Sequence, residues 1–527
     1  MRRTLFVVAL SAVAALVLTM FAATAPAAAP SSAERRCHNL IRLSRPDTTV
    51  TAATVDASGS FTVPEGQGGI GEASPGDVLP DLPAFCEVSL LRTNPPAHDH
   101  VHIEVWLPLS TWNGRFDGVG GGGFVAGISF RALAAALRSG YAAASTDTGH
   151  PAAQQDGSFA LAAAGALDEP AITDFADRAV HEMTVAGQAV TARFYSAPAE
   201  YSYFTGCSQG GRQALTEAER YPADYDGILA GAPAVNFAHL SPAQLWPVFV
   251  EQQAGDYLPK CKFAAFQSAV VARCDRLDGV VDGIVGNVAA CRFDPRSLIG
   301  TRTPCGVITR TDTEVMARIW QGPRTTGGRF LWYGIEPTAD ASMLAQNPWY
   351  VGTSWLQYWV NRDPDFDWTA MSSADFTRDF EQGVREFGPL VDNSADLSRF
   401  RAAGGKLVLW TGLSDQFIPS QDTIAYWDTM TRRSREPDSF ARLFLAPGVG
   451  HCGTVGNSGP VPADPLGALT SWVENADAPE SIRATTVVDH RVVRSRPLCR
   501  YPLVARYTGH GSTDDAANFR CARGFRP

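Results

Sequence analysis

The feature that most constrains this chain lies near its middle. Tyr201 to Thr205 reads as a short strand, Gly206-Cys207-Ser208-Gln209-Gly210 follows at once, and a helical run extends from Arg212 to Arg220. A serine set between strand and helix, with glycine two positions to either side, suits a tight turn that projects its hydroxyl clear of a sheet. A hydroxyl is a poor nucleophile until a base removes its proton, so this turn has use only if a base and an orienting acid meet it in space. No second G-x-S-x-G occurs in the chain.

The flanking sequence supplies a sheet for that turn. An alternating strand is expected from His98 to Leu107, a turn from Pro108 to Gly114, and a second strand at Arg115 to Val119 before Gly120-Gly121-Gly122-Gly123. Ala171 to Tyr195 carries Phe175, Ala179, Val180, Met183, Ala186 and Val190 at the spacing of an amphipathic helix. Strand patterns return at Gly227 to Ala230, Lys406 to Trp410 and Arg442 to Leu445, each between helix-like or loop segments, which predicts a mostly parallel sheet. From 237 to 388 the rhythm fails. That stretch holds four of the ten cysteines, and six of the twelve tryptophans fall between its Trp320 and Trp368, so it is expected to be an inserted lid domain. The 527 residues exceed one ordinary core, and the two parts of the main domain are assigned to 30–236 and 389–527.

In a sheet enzyme with such a turn, the acid and the base follow the serine on loops after later strands, in the order Ser, Asp, His. Asp415 comes directly after the strand Lys406 to Trp410, and His451 directly after Arg442 to Leu445. His490, expected inside a strand, and His510, in a cysteine-flanked tail, suit the role less well. Cys207 precedes the candidate nucleophile and Cys452 follows the candidate base, so a bridge between them would tie serine to histidine. For a developing oxyanion, the residue after the serine, Gln209, and one glycine of 120–123, with Gly122 taken as the choice, would donate main-chain N–H groups. The expected fold is α/β, an α/β-hydrolase fold with a large inserted lid domain.

Composition narrows the setting. Arg2 and Arg3, an apolar run to about Ala23 and a small-residue stretch make residues 1–29 a secretory signal peptide. Ten cysteines in an exported chain fit five disulfides, and a secreted, extracellular protein with no stable membrane association after cleavage is expected. The net charge of -10 and the lack of a basic stripe exclude nucleic acid as partner. Asp275, Asp278 and Asp282 crowd a turn-rich loop between Cys274 and Cys291, and hard oxygen ligands of this kind suit calcium. His98, His100 and His102 share one strand face but lack a carboxylate or cysteine partner at ligand spacing, and are read as structural.

Taken together, these residues resemble the tannase and feruloyl esterase family. The likeness is carried by Val105-Trp106-Leu107-Pro108 with Trp112-Asn113-Gly114-Arg115, by Gly120-Gly121-Gly122-Gly123-Phe124, and by Thr146-Asp147-Thr148-Gly149-His150. It continues through Asp174-Phe175, Arg178-Ala179-Val180-His181, Gly206-Cys207-Ser208-Gln209-Gly210-Gly211-Arg212, Tyr221-Pro222, Asp226-Gly227-Ile228 and Arg496-Pro497-Leu498-Cys499. The resemblance implies a serine esterase acting through an acyl-enzyme, with the triad and the linking bridge above. It implies a structural calcium on Asp275, Asp278 and Asp282 with the main-chain carbonyls of Val280 and Ile284, and no organic cofactor. It also implies pairings of Cys37 with Cys86, Cys274 with Cys291 and Cys499 with Cys521, which leaves Cys261 for Cys305. The substrate class it implies is an aromatic acyl ester, small or polysaccharide-linked. A feruloyl ester comes first, with galloyl esters or mono(2-hydroxyethyl) terephthalate as alternatives. A non-catalytic binder of an aromatic ligand is the other class, and an intact triad argues against it.

Overall fold

The computed structural model describes residues 31–45, 47–67, 73–97, 99–124, 127–150 and 156–524. The expected signal peptide and His98 lie outside the described residues. Nine strands form the main sheet, in the spatial order Thr48–Asp56, Phe85–Arg92, Val101–Pro108, Ala142–Thr146, Arg115–Val119, Tyr201–Cys207, Gly227–Gly231, Lys406–Gly412 and Ala441–Ala446. The first four pair antiparallel. Every later neighbour is parallel.

The parallel half shows why continuous apolar runs appear there. Ala142–Thr146 and Gly227–Gly231 are buried at every position, as strands covered by helices on both faces must be. Successive side chains enter opposite cores: Phe204 and Leu407 join Val105 and Ala144 on one face, while Tyr203 and Val408 join Trp106 and Ala143 on the other. The expected helix from Ala171 begins at Glu169 and is broken by a π turn, Asp174–Arg178, before continuing as Ala179–Tyr195. His490 does not sit in a strand. It occupies, with Asp489, the two-residue turn between Ser481–Val488 and Arg491–Cys499, and both residues have positive φ, as a tight hairpin requires.

Between Gly231 and Lys406 no described segment joins the main sheet. This insertion has a narrow neck, where Asn236 and Asp392 pair in an isolated bridge and Asn393 N donates to Val235 O at 3.0 Å. The helix Ser373–Val391 carries the chain past Gly388 to that neck. The insertion does not keep a core to itself. Its buried Trp355, Trp359 and Phe387 belong to one apolar cluster with Phe124, Phe159 and Phe175 of the main domain.

Five disulfides form: Cys37–Cys86, Cys207–Cys452, Cys261–Cys305, Cys274–Cys291 and Cys499–Cys521. Among the described residues no helix is long and apolar enough to cross a membrane.

Candidate active site

Ser208 sits between the strand Tyr201–Cys207 and the helix Gln209–Arg220 with φ 64° and ψ -122°. A non-glycine residue in such a conformation is strained by about 1–3 kcal/mol and persists only where its surroundings hold it. Three main-chain bonds do so: Ser208 N donates to Gly231 O, and Ala234 N and Arg212 N donate to Ser208 O, each at 3.0 Å. The turn closes so tightly that a Cβ at Gly206 would lie 2.3 Å from Gly210 O, which explains the flanking glycines.

The acid and base loops meet in the same way, since a Cβ at Gly412 would lie 2.2 Å from Val449 O. Asp415 is fully buried. Its Oδ1 accepts the N–H groups of Phe417 and Ile418, each at 2.9 Å, which leaves Oδ2 for His451 Nδ1 at 2.8 Å. With one oxygen fixed by the backbone, the carboxylate can orient the imidazole without turning. His451 N in turn donates to Gln416 Oε1 at 3.2 Å. Ser208 Oγ makes no hydrogen bond to His451 here, so their approach is set by the backbone and by the Cys207–Cys452 bridge, whose Cα atoms are 5.9 Å apart.

The glycine loop is now resolved by its bonds. Gly120 N donates to Thr205 O at 2.9 Å and Gly121 N to Gln213 Oε1 at 3.0 Å, so neither amide is available to a ligand. Gln209 is the first helical residue, and its N–H is among those without an intrahelical acceptor. Beyond the loop, His150 Nε2 donates to Phe124 O at 2.7 Å, and burial pushes its pKa down to about 4, so the ring stays neutral and keeps that bond. The buried Arg212 donates to the carbonyls of Phe175 and Ala176 at 2.9 and 3.0 Å and to Gln209 Oε1 at 2.9 Å. Gln213 and Arg212 had no sequence signal beyond following the serine in the motif.

Two features form where the insertion meets the main domain at this site. The first is a row of rings: Phe417 meets His451 edge-on at 5.3 Å, Trp349 lies 4.5 Å from Phe417, Tyr350 5.0 Å from Trp349, and Phe124 6.5 Å from Tyr350. Trp349 is partly exposed, whereas Trp355 and Trp359 are wholly buried. The second is a polar brace on the acid loop. Thr338 Oγ1 donates to Leu413 O at 2.8 Å, and Ser420 Oγ donates to Glu336 Oε1. Burial, with Asp415 nearby, pushes the Glu336 carboxyl up to about 7.

Asp275, Asp278 and Asp282 share one loop, where their oxygens accept main-chain N–H groups of Val280, Asp282, Gly283, Ile284 and Gly286. Burial first, then the charges of Asp282 and Asp275, push the Asp278 carboxyl up to about 6, a repulsion that a cation would relieve. An all-oxygen donor set of this kind fits calcium. Asp282 is also ion-paired with Arg496 at 2.5 Å, so the loop leans on the C-terminal strands. Among the described residues, the set of three His, Cys, Asp or Glu ligand atoms that falls within 4.8 Å of one another lies elsewhere and includes none of these aspartates.

Known proteins share the sequence pattern and the fold of this chain. The family model described as tannase and feruloyl esterase matches residues 86–522. A probable feruloyl esterase of Arthroderma benhamiae is 39% identical over 465 residues, covering 84% of this chain and 86% of its own. The mono(2-hydroxyethyl) terephthalate hydrolase of Piscinibacter sakaiensis is 31% identical over 516 residues, covering 84% and 85%. The crystal structure of feruloyl esterase B from Aspergillus oryzae superposes with a TM-score of 0.82 at 26% identity, over 93% of this chain and 100% of its own. This chain belongs to the tannase and feruloyl esterase family and is a carboxylic ester hydrolase of the feruloyl esterase type.

Proposed function

We propose that the protein is a secreted serine esterase of aromatic acyl esters, with Ser208 as nucleophile, His451 as base and Asp415 as the acid that orients it. The observation that carries this reading is the strained Ser208 bound, through Cys207–Cys452, to the neighbour of a histidine whose Nδ1 is already held by Asp415. His451 Nε2 takes the Ser208 proton as Oγ attacks the ester carbonyl carbon, and returns it to the departing alcohol. Water then attacks the acyl-enzyme with the same histidine as base, and the acid leaves. The N–H groups of Gln209 and Gly122 hold the oxyanion at both steps.

Phe417 and Trp349 form the apolar wall beside His451, a surface suited to a flat aromatic acid. The relatives named as feruloyl esterases support a feruloyl group as the acyl part of the substrate. The relative named for mono(2-hydroxyethyl) terephthalate makes a terephthaloyl ester the second choice. Asp275, Asp278, Asp282 and the carbonyls of Val280 and Ile284 would hold a structural calcium, which binds the loop together and supplies nothing to acyl transfer. The N-terminal signal and five disulfides support export. A panel of feruloyl, galloyl, terephthaloyl and acetyl esters, with phosphonate labelling of wild type and Ser208→Ala, tests the assignment. Label on a residue other than Ser208 would overturn the triad, and equal kcat/KM on acetyl and feruloyl esters would overturn the aromatic preference.

A further inference from the structure

On the sheet face behind the nucleophile, three side chains from separate elements meet. His181 lies in the first turn of the helix Ala179–Tyr195, Glu217 lies in the helix that starts after Ser208, and Asp224 lies in the turn before the strand Gly227–Gly231. One ligand atom from each falls within 4.8 Å of the other two, and His181 Nδ1 is 2.7 Å from Asp224 Oδ2.

Glu217 is the anomaly. It is 1% exposed, and neither carboxylate oxygen has a hydrogen-bond partner among the described residues. An isolated buried carboxylate is too costly to persist, so such a group is paired, protonated or bound to a cation. Arg220, on the same helix, is already engaged: it pairs with Asp177 at 2.9 Å, and Tyr221 Oη donates to the same carboxylate at 3.0 Å.

The other two groups are held as ligands are held. Tyr221 stacks on the His181 ring at 3.9 Å and 6°, fixing its plane, and Gln188 Nε2 donates to the main-chain carbonyl of Asp224 at 2.9 Å, which anchors the turn that carries its carboxylate. Both side chains keep some exposure, 31% for His181 and 16% for Asp224, so an ion and a water ligand can reach the site from solvent.

We propose that His181, Glu217 and Asp224 form a binding site for a divalent transition-metal ion of the zinc class, which ties the nucleophile-bearing helix to its two neighbours. One imidazole and two carboxylates make a ligand set used by zinc, with water as the fourth ligand, whereas the imidazole disfavours calcium. Glu217 is nine residues beyond Ser208, about 13 Å along the helix, so the ion acts on stability and not on the ester.

The test is zinc uptake by the full chain, measured by equilibrium dialysis and elemental analysis in saturating calcium. Wild type should bind one zinc per chain, and its unfolding midpoint should rise by about 3 °C when zinc is in hundredfold excess over Kd. His181→Gln, at the exposed side of the site, and Glu217→Gln should each weaken uptake at least about tenfold and lose the midpoint shift, while ester hydrolysis at ambient temperature stays at wild-type rates. Should Glu217→Gln fail to fold, His181→Gln and Asp224→Asn give the same reading. No zinc uptake by wild type would overturn the proposal and leave a proton shared between Glu217 and Asp224 as the resolution. Uptake unchanged in the folded variants would also overturn it, by placing the ion elsewhere.

Discussion

Cys207 and Cys452 stand 5.9 Å apart at their Cα atoms, and each is the chain neighbour of a residue proposed for the triad. The bridge spans 245 residues of sequence. In the chain-entropy model, closing a loop of that size stabilises by about 5 kcal/mol. It also fixes how far the base loop can stray from the serine. The double variant Cys207→Ala with Cys452→Ala should lose most of its kcat, and calorimetry should show a lowered unfolding midpoint. Circular dichroism at ambient temperature should change little, because the strand pairing that carries each of the two loops does not depend on the bridge. Full activity in that variant would refute the idea that the bridge positions the base.

Ser208→Ala should lower kcat on a feruloyl ester by about 10⁴-fold or more, as loss of a triad nucleophile does. Ser208→Gly should be equally inactive and more stable than wild type by about 1 kcal/mol, since glycine adopts φ 64° and ψ -122° without strain. Chemical denaturation of the two variants side by side checks the strain directly.

Glu336 gives a dependence on pH with a definite sign. Its carboxyl is raised in the folded state to about 7, so the folded protein binds this proton more tightly than the unfolded chain. Its contribution to stability is therefore full below the ordinary glutamate range near 4.5 and is lost as pH rises through about 7. Glu336→Gln keeps a neutral side chain beside Ser420 at every pH. Its stability should fall less than that of wild type between pH 5 and 8, in denaturant titrations run across that range.

Trp349→Ala should reduce kcat/KM for aromatic acyl esters by about tenfold, the order expected for a lost stacking contact of about 1.4 kcal/mol, and should leave acetyl esters nearly unchanged. Trp355→Ala should instead lower stability by about 3–5 kcal/mol, because that ring is wholly buried. Comparing the two on the same ester panel separates the ring that meets substrate from the ring that holds the insertion together.

Removal of calcium should lower the unfolding midpoint by several degrees before it affects the rate at ambient temperature, since the aspartate loop contacts Arg496 and not the serine. Elemental analysis should find one calcium in protein prepared without chelator. Asp278→Asn should weaken its binding and give most of the midpoint loss without chelation.

The local sequence alone determined the turn at Ser208, the positions of Asp415 and His451 after their strands, and the parallel half of the sheet. Each of these follows from short-range rules: glycine spacing, apolar runs of strand length, and chain order. The tertiary structure alone decided which glycine amides are already occupied, because Gln213 and Thr205 reach Gly121 and Gly120 from other elements. It alone placed Trp349 and Phe417 beside His451 while burying Trp355 and Trp359, a choice made by the packing of the insertion against Phe124 and Phe175 and invisible in a count of tryptophans. The same holds for Glu336 beside the acid loop and for Glu217 facing His181 and Asp224. Burial and long-range pairing determine what a polar side chain can do, and neither is encoded in the residues adjacent to it.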